Sequence, residues 1–463
     1  MANLKASSLK LQPVSVTRKM AASLPGLREL AQSKGLKIHH LGAGYPHPEV
    51  TDPRGFLDHH ERYFDHVAQK EGLNDESVLP EHLRETFSYT DTLGPLSARQ
   101  AFATVYGSDW NIAIDPNKLI PTVGATGGIN LICSLSERAG QPVAYLSDAP
   151  TYAGFTARVG LCQHASIYSV EMDAEGAKPD VLKRQLDAAR ADGNFVPFYY
   201  TVPDGHNPAG FSFSQARREA LMKIAEDEGF LIVEDAPYIY INYADAEQRA
   251  QPFFAINPAQ TVHLFTGSKI GFPGPRVGFF YSEATLEIED GKTVDLAEMA
   301  LTESSSDILF QNPAALRGFE ALLHDDDFNL RPSMWPLAEE KLAVYRENRE
   351  LMLSILEREL GGHAEHFSWT QPGAGFFTVF TFLSGVRTDD AFIESLVADY
   401  GVVVIPMYDF YPADARERDP NSGYNQLRLS FCFSESTGEQ RRKDMTEAVE
   451  AFCQAAKAAA GLT

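Results

Sequence analysis

Short apolar runs recur through the middle of the chain, separated by stretches with helical spacing. PVAYLSD (142–148), FVPFYYTV (195–202), FLIVED (230–235), TVHLFTG (261–267) and RVGFFYS (276–282) are nearly continuous in apolar residues rather than alternating. Strands of that kind are buried on both faces, and their alternation with helical stretches such as Ser214 to Glu228 predicts an α/β fold with a mostly parallel sheet between helices. The tail differs. A long helical pattern over about 337–360 precedes GAGFFTVFTF, GVVVIP and LRLSFCF, three strands spaced with helices that predict a smaller α/β unit. HDDDFNLRPSMWP marks a boundary near 325–335. The expected division is an N-terminal arm plus part of the small domain over 1–80, a large domain over 81–330 and a small C-terminal domain over 331–463. Residues 1 to about 25 are polar and read as an arm, and Leu24 to Lys34 has helical spacing. The His-, Asp- and Glu-rich stretch 50–82 reads as a helix with loops near the surface.

Composition narrows the function classes. Hydrophobic residues make up 44% of the 463 positions, which excludes a disordered chain. The net charge of −23 argues against a nucleic-acid partner and against an anionic membrane surface. No apolar stretch is long enough for a membrane span, and the first twenty residues lack the apolar core of a secretory signal. The four cysteines show no paired spacing, so a reducing, cytoplasmic setting is expected.

The candidate chemistry lies at the ends of the apolar runs. In Thr266-Gly-Ser-Lys269 a lysine follows a strand, and Arg276 follows seven residues later in a Pro/Gly-rich turn. A desolvated lysine forms imines with aldehydes, and the Thr266 and Ser268 hydroxyls with the Arg276 guanidinium suit a phosphate dianion. An imine-forming lysine beside a phosphate site is what pyridoxal 5′-phosphate requires. The bland alternative is a surface Lys and Arg in a loop. Asp235 ends another apolar run, where open α/β sheets place ligand groups. It could pair with a protonated pyridine nitrogen, with Tyr238 on the ring's phenolic oxygen. Asp235 before Ala-Pro also fits a helix N-cap.

Four further segments carry less. Asn207-Pro is a turn signal whose amide could serve the same phenolic oxygen and a substrate carboxylate. Gly124-Ala125-Thr126-Gly-Gly, opening a helical stretch, exposes backbone N–H groups toward an anion. Tyr152, in Asp148-Ala-Pro-Thr-Tyr152, could stack on a flat ring, and Tyr89 could donate to a phosphate; both also read as core tyrosines. Arg428, flanked by strand residues, needs an anion if buried, either a carboxylate substrate or one of the acidic side chains. His59, His60, Glu61 and His66 read as a solvated helix face, not a metal site.

Together these segments, in this order from about Leu41 to Phe433, resemble the fold type I pyridoxal-phosphate aminotransferases of classes I and II. The subgroup resembled is that of the aromatic, 2-aminoadipate and kynurenine aminotransferases. The resemblance implies a large domain with a seven-stranded-type sheet and a smaller domain built from both chain ends. It implies that Lys269 is the Schiff-base lysine, Asp235 the pyridine-nitrogen partner, and Tyr238 and Asn207 the groups on the phenolic oxygen. Ala125, Thr126, Thr266, Ser268 and Arg276 match the phosphate cup, and Tyr152 the stacking aromatic. Tyr89 matches a tyrosine that reaches the neighbouring subunit's phosphate, hence a homodimer. Arg428 matches the carboxylate clamp and Gly44 the substrate-side glycine. Thr266-Gly-Ser departs from the family's Ser-x-Ser but keeps both hydroxyls, and Ala125-Thr126 replaces the usual Ser-Gln.

The activity so implied is ping-pong transfer of an amino group between an L-amino acid and a 2-oxo acid, with Lys269 moving the Cα proton. Tyr408, Phe410, Tyr411 and the 50–82 stretch hint at a bulky or apolar side chain, and a place in the core explains these aromatics equally well. Three rivals stand beside it: another pyridoxal-phosphate enzyme such as a β-lyase, racemase or decarboxylase, a non-catalytic sensor, and an unrelated phosphate-sugar or nucleotide enzyme.

Overall fold

A computed structural model describes residues 14–72, 80–432 and 436–462. The expected arm over 1–13, part of the 50–82 stretch and Phe433 lie outside these residues. All five apolar runs in the middle of the chain form strands. They belong to an eight-stranded sheet in the spatial order Leu119–Val123, Val277–Tyr281, Thr261–Thr266, Leu231–Asp235, Phe198–Thr201, Val143–Ala149, Ala165–Asp173 and Gly176–Ala177. The five central strands from Thr261 to Asp173 pair in parallel, Val277–Tyr281 runs antiparallel to both neighbours, and the two-residue Gly176–Ala177 adds an antiparallel edge. Alternate residues of single strands enter different cores. Tyr145, Phe198, Tyr200 and Val233 join one cluster, while Ala144, Leu146, Tyr199 and Ile232 join another. Burial on both faces is why these strands read as unbroken apolar runs.

Four of the sheet's parallel strands end on one edge, at Ala149, Thr201, Asp235 and Thr266, and the loops leaving that edge carry Tyr152, Asn207, Tyr238 and Lys269. The strand Leu119–Val123 feeds the helix Gly124–Ser136 at the same edge. Facing it is a second, antiparallel sheet in the order Phe367–Trp369, Phe377–Phe382, Gln426–Ser430, Ile405–Pro406. The helices Trp335–Leu360, Asp390–Tyr400 and Gly438–Ala459 cover it through Met352, Leu356, Leu396 and Phe452, which pack on Phe380, Leu427 and Leu429. The N-terminal pair His39–His40 lies parallel to Val402–Val403.

Two local expectations change. The N-terminal helix spans Val16–Ser33, so it begins inside the polar segment that reads as an arm and continues through Pro25. The stretch 50–82 does contain a helix, Pro53–Lys70, but one face of it is buried. Tyr63 is 4% exposed and its hydroxyl donates to Glu320 Oε1 at 2.9 Å; His82 is buried as well. His60 stacks near Phe56 and Phe64, and His66 near Phe328, so these rings are packed rather than solvated. Among the described residues no helix is long and apolar enough to cross a membrane.

Candidate active site

The two sheets enclose a cavity of about 500 Å³. Gly44, Ala125, Thr126, Tyr152, Asn207, Asp235, Tyr238, Thr266, Ser268, Lys269, Arg276 and Arg428 all line it. These positions span nearly four hundred residues of sequence and meet because each follows a strand end or lies on the facing sheet.

Lys269 is part-buried, and its Nζ donates to the Gly44 carbonyl at 2.5 Å. Desolvation lowers its pKa to about 8. The Arg276 and Arg428 charges push the same way, and only Cys432 opposes them. The amine thus gives up its proton far more readily than a free lysine, though at pH 7 it still carries it, and that readiness is what a nucleophile or a proton carrier needs.

Asp235 is 2% exposed, and burial raises its pKa to about 7. The Tyr200 hydroxyl donates to Oδ2 at 2.6 Å and pulls the other way. Oδ1 has no partner among the described residues. A buried carboxylate oxygen without a donor is costly, so the site is built for a donor that the chain itself does not supply. Asp235 caps no helix, since the residues after it form turns.

One end of the cavity is formed by three elements. The helix Gly124–Ser136 opens with no side-chain cap, and its first-turn residues Ala125 and Thr126 line the cavity. Thr266 Oγ1 and Ser268 Oγ lie 2.9 Å apart, and Arg276 Nη1 donates to Ser268 Oγ at 3.1 Å. Arg276 has φ +58, a strained value for a non-glycine residue. Its carbonyl holds it there by accepting from Gly124 N at 2.8 Å and Gln311 Nε2 at 2.7 Å. Gly124 has φ +64, and a Cβ there would sit 2.4 Å from Arg276 Nη2, so only glycine admits the guanidinium.

At the opposite end Arg428 is 2% exposed. Its Nη1 donates to Asn207 Oδ1 at 2.7 Å and its Nη2 to the Gly42 carbonyl at 3.0 Å, with the guanidinium 3.9 Å from the Phe377 ring centroid. Desolvation lowers its pKa to about 10. No carboxylate of the described residues pairs with it, which removes the salt-bridge alternative.

The sequence profile for aminotransferase class I and II matches residues 60–440. The chain belongs to the class I and II aminotransferases. It is 30% identical over 419 residues to an (S)-3,5-dihydroxyphenylglycine transaminase of Amycolatopsis orientalis, covering 90% of this chain and 88% of that one. It is 26% identical over 362 residues to aromatic-amino-acid aminotransferase 1 of Thermococcus litoralis, covering 77% and 78%. Among solved structures, an archaeal alanine:glyoxylate aminotransferase matches with a TM-score of 0.75 at 24% identity, over 96% of both chains. The Pyrococcus horikoshii kynurenine aminotransferase matches with a TM-score of 0.75 at 21% identity, over 98% of this chain and 97% of that one. These structural likenesses establish the fold, which is that of the fold type I aminotransferases, and the profile and relatives make this enzyme a transaminase.

In this aminotransferase one of the expected site residues stands apart. Tyr89 does not line the cavity; it is 87% exposed, edge-on to Phe310 at 5.9 Å. The aromatic residues expected at the entrance do not line it either. Phe410 is fully buried among Val16, Ala153 and Met407, Tyr408 stacks on Tyr424 at 4.5 Å, and Tyr411 bonds to Gln426. None of the described residues of 50–82 reaches the cavity. Its apolar wall is formed instead by Met20, Ala21 and Leu24 of the N-terminal helix, with Tyr45, Phe377 and Ile405. Sequence reading missed these, although Met20, Ala21 and Leu24 share one helical face by spacing. It also missed Tyr200, which no local motif distinguishes from the core tyrosines around it.

Proposed function

We propose that this transaminase holds pyridoxal 5′-phosphate in the cavity and uses it to move amino groups between an L-amino acid with an aromatic or bulky apolar side chain and a 2-oxo acid. The observation that carries the reading is the meeting, in one cavity, of a desolvated lysine and a buried carboxylate with an unpartnered oxygen. When bound, the cofactor supplies an aldehyde carbon that exchanges one amine for another and a cationic ring that takes up the electron pair left when Cα loses its proton. The chain's residues do the rest. Asp235 Oδ1 accepts from the ring nitrogen and keeps it protonated. The helix N-terminus at Ala125 and Thr126, the Thr266 and Ser268 hydroxyls and Arg276 hold the phosphate, and Tyr152 packs on the ring. Tyr238 and the Asn207 amide donate to the phenolic oxygen. Arg428, with Asn207, binds the substrate carboxylate. Lys269 takes the Cα proton and returns it, and the Gly44 carbonyl holds its amine between those steps.

The cavity supports the substrate class. Its lining cations are Lys269, Arg276 and Arg428, all engaged in the roles above, and beside His40 its distal wall is apolar. Relatives named for dihydroxyphenylglycine and aromatic amino acids agree. The Pyrococcus horikoshii relative was solved with PMP. Tyr89, with Phe87 76% exposed beside it, is free to serve a second copy's phosphate, which supports a homodimer. We further assign 81–330 to the cofactor-binding domain and the two chain ends to the smaller one. Borohydride reduction followed by peptide mass spectrometry tests the reading. A pyridoxyl label on Lys269, lost in Lys269→Ala along with turnover of L-phenylalanine and 2-oxoglutarate, is the expected result; no label and no visible cofactor band would end it.

A further inference from the structure

Asn207 is a loop residue, yet it must hold Arg428 in one orientation. Residue 206 explains how. His206 and Asp148 are both fully buried, and neither lines the cavity. His206 Nδ1 accepts from Ala209 N at 3.2 Å, so the ring proton sits on Nε2, which donates to Asp148 Oδ2 at 3.2 Å. Asp148 also accepts from Thr201 Oγ1 at 2.7 Å and from the Tyr199 hydroxyl. Both of its oxygens are therefore held by the neighbouring strand Phe198–Thr201. The backbone of His206 is pinned too, with its N–H on Phe211 O at 2.7 Å and its carbonyl taking Gly210 N at 2.6 Å. Gly205, at φ +54, brings this loop so close to Gly375 that a Cβ would lie 2.5 Å from its nitrogen.

We infer that His206 is a positioning residue for the substrate carboxylate: anchored to Asp148, it sets Asn207, and Asn207 sets Arg428. The inference rests on the transaminase reading of the cavity.

Two substitutions separate the ring's two bonds. His206→Asn keeps an acceptor for Ala209 N but loses the donor to Asp148; His206→Gln reaches Asp148 but loses the acceptor. The probe is 3-phenylpropanoate, a carboxylate without an amino group, titrated by calorimetry against the cofactor-loaded enzyme. His206→Asn is expected to weaken binding about tenfold and to raise the KM for L-phenylalanine by the same factor, with kcat within about twofold and the cofactor absorbance unmoved. His206→Gln is expected to stay within about threefold of wild type. Asp148→Asn, made at the other end of the bond, is expected to repeat the His206→Asn loss and serves if that variant does not fold. Unchanged probe affinity with only a lower melting temperature would make His206 structural and overturn the inference. So would equal losses in both His206 variants, or a wild type that does not bind the probe. A wild type lacking the cofactor band would instead overturn the reading beneath it.

Discussion

Replacing Lys269 with methionine should stabilise the cofactor-free protein at neutral pH and destabilise it at high pH. Desolvation lowers the Lys269 pKa from 10.5 to about 8. At 1.36 kcal/mol per pH unit, that displacement costs roughly 3 kcal/mol of folding free energy below about pH 8, where the folded and the unfolded chain both keep the proton. Lys269 is only part-buried, and water in the cavity reduces the cost to about 2 kcal/mol. Methionine fills nearly the same space without a charge. It gives up the bond to the Gly44 carbonyl, a loss of about 1 kcal/mol. The variant should therefore be more stable by about 1 kcal/mol at pH 7.

The sign then reverses. Between the folded value of about 8 and the unfolded value of 10.5, the unfolded chain binds more protons, so wild-type stability rises with pH. The variant has no such group and gains nothing. Above the window only the lost hydrogen bond remains, and the variant should be less stable by about 1 kcal/mol. Urea midpoints of both cofactor-free proteins, measured in steps from neutral pH to beyond the window, read the difference directly. A variant already weaker than wild type at pH 7, or a difference flat across the range, would refute the claim that a desolvated charge is stored at this site.

Two further substitutions probe the ends of the cavity. Arg428→Lys cannot reach the Asn207 amide and the Gly42 carbonyl together and leaves one of the two buried acceptors short of a donor. Half-reaction kcat/KM for L-phenylalanine should fall on the order of 100-fold, read from cofactor absorbance in stopped flow. Tyr200→Phe removes the 2.6 Å donor to Asp235. With that restraint gone, the carboxyl should titrate above its present value of about 7, and at pH 7 it should be largely protonated and a poorer partner for a cationic ring. Cofactor retention on dialysis should drop about tenfold at pH 7 and recover as pH rises.

The five strands that begin as apolar runs were legible because burial on both faces leaves such a run unbroken. Two others were not. Ala165–Asp173 lies near the sheet edge, and its outer residues meet solvent, so ASIYSVEMD carries no such run. Leu119–Val123 contains Pro121, which demotes a strand in sequence. The polar composition of residues 1 to about 25 hid the first turns of the N-terminal helix, and with them the cavity wall of Met20, Ala21 and Leu24. The site residues were individually ambiguous, and their collinear order made them a set. What order alone could not supply was their environment.

Asp235 shows why. Its local sequence, Asp-Ala-Pro, specifies a helix cap as readily as a ligand. The fold decides otherwise: no helix follows, the carboxylate is sealed from solvent, and one oxygen is bound while the other is not. The bound oxygen depends on Tyr200, in the adjacent strand. Tyr200 pairs across the sheet with Val233, which places the phenol on the same face as Asp235, two positions further along. The pairing register therefore fixes whether the hydroxyl meets the carboxylate. A slip of one residue would turn Tyr200 to the opposite face and leave Asp235 with two bare oxygens and a still higher pKa. The acid's chemistry is thus a property of strand register, and register is set by the apolar cores on both faces of the sheet.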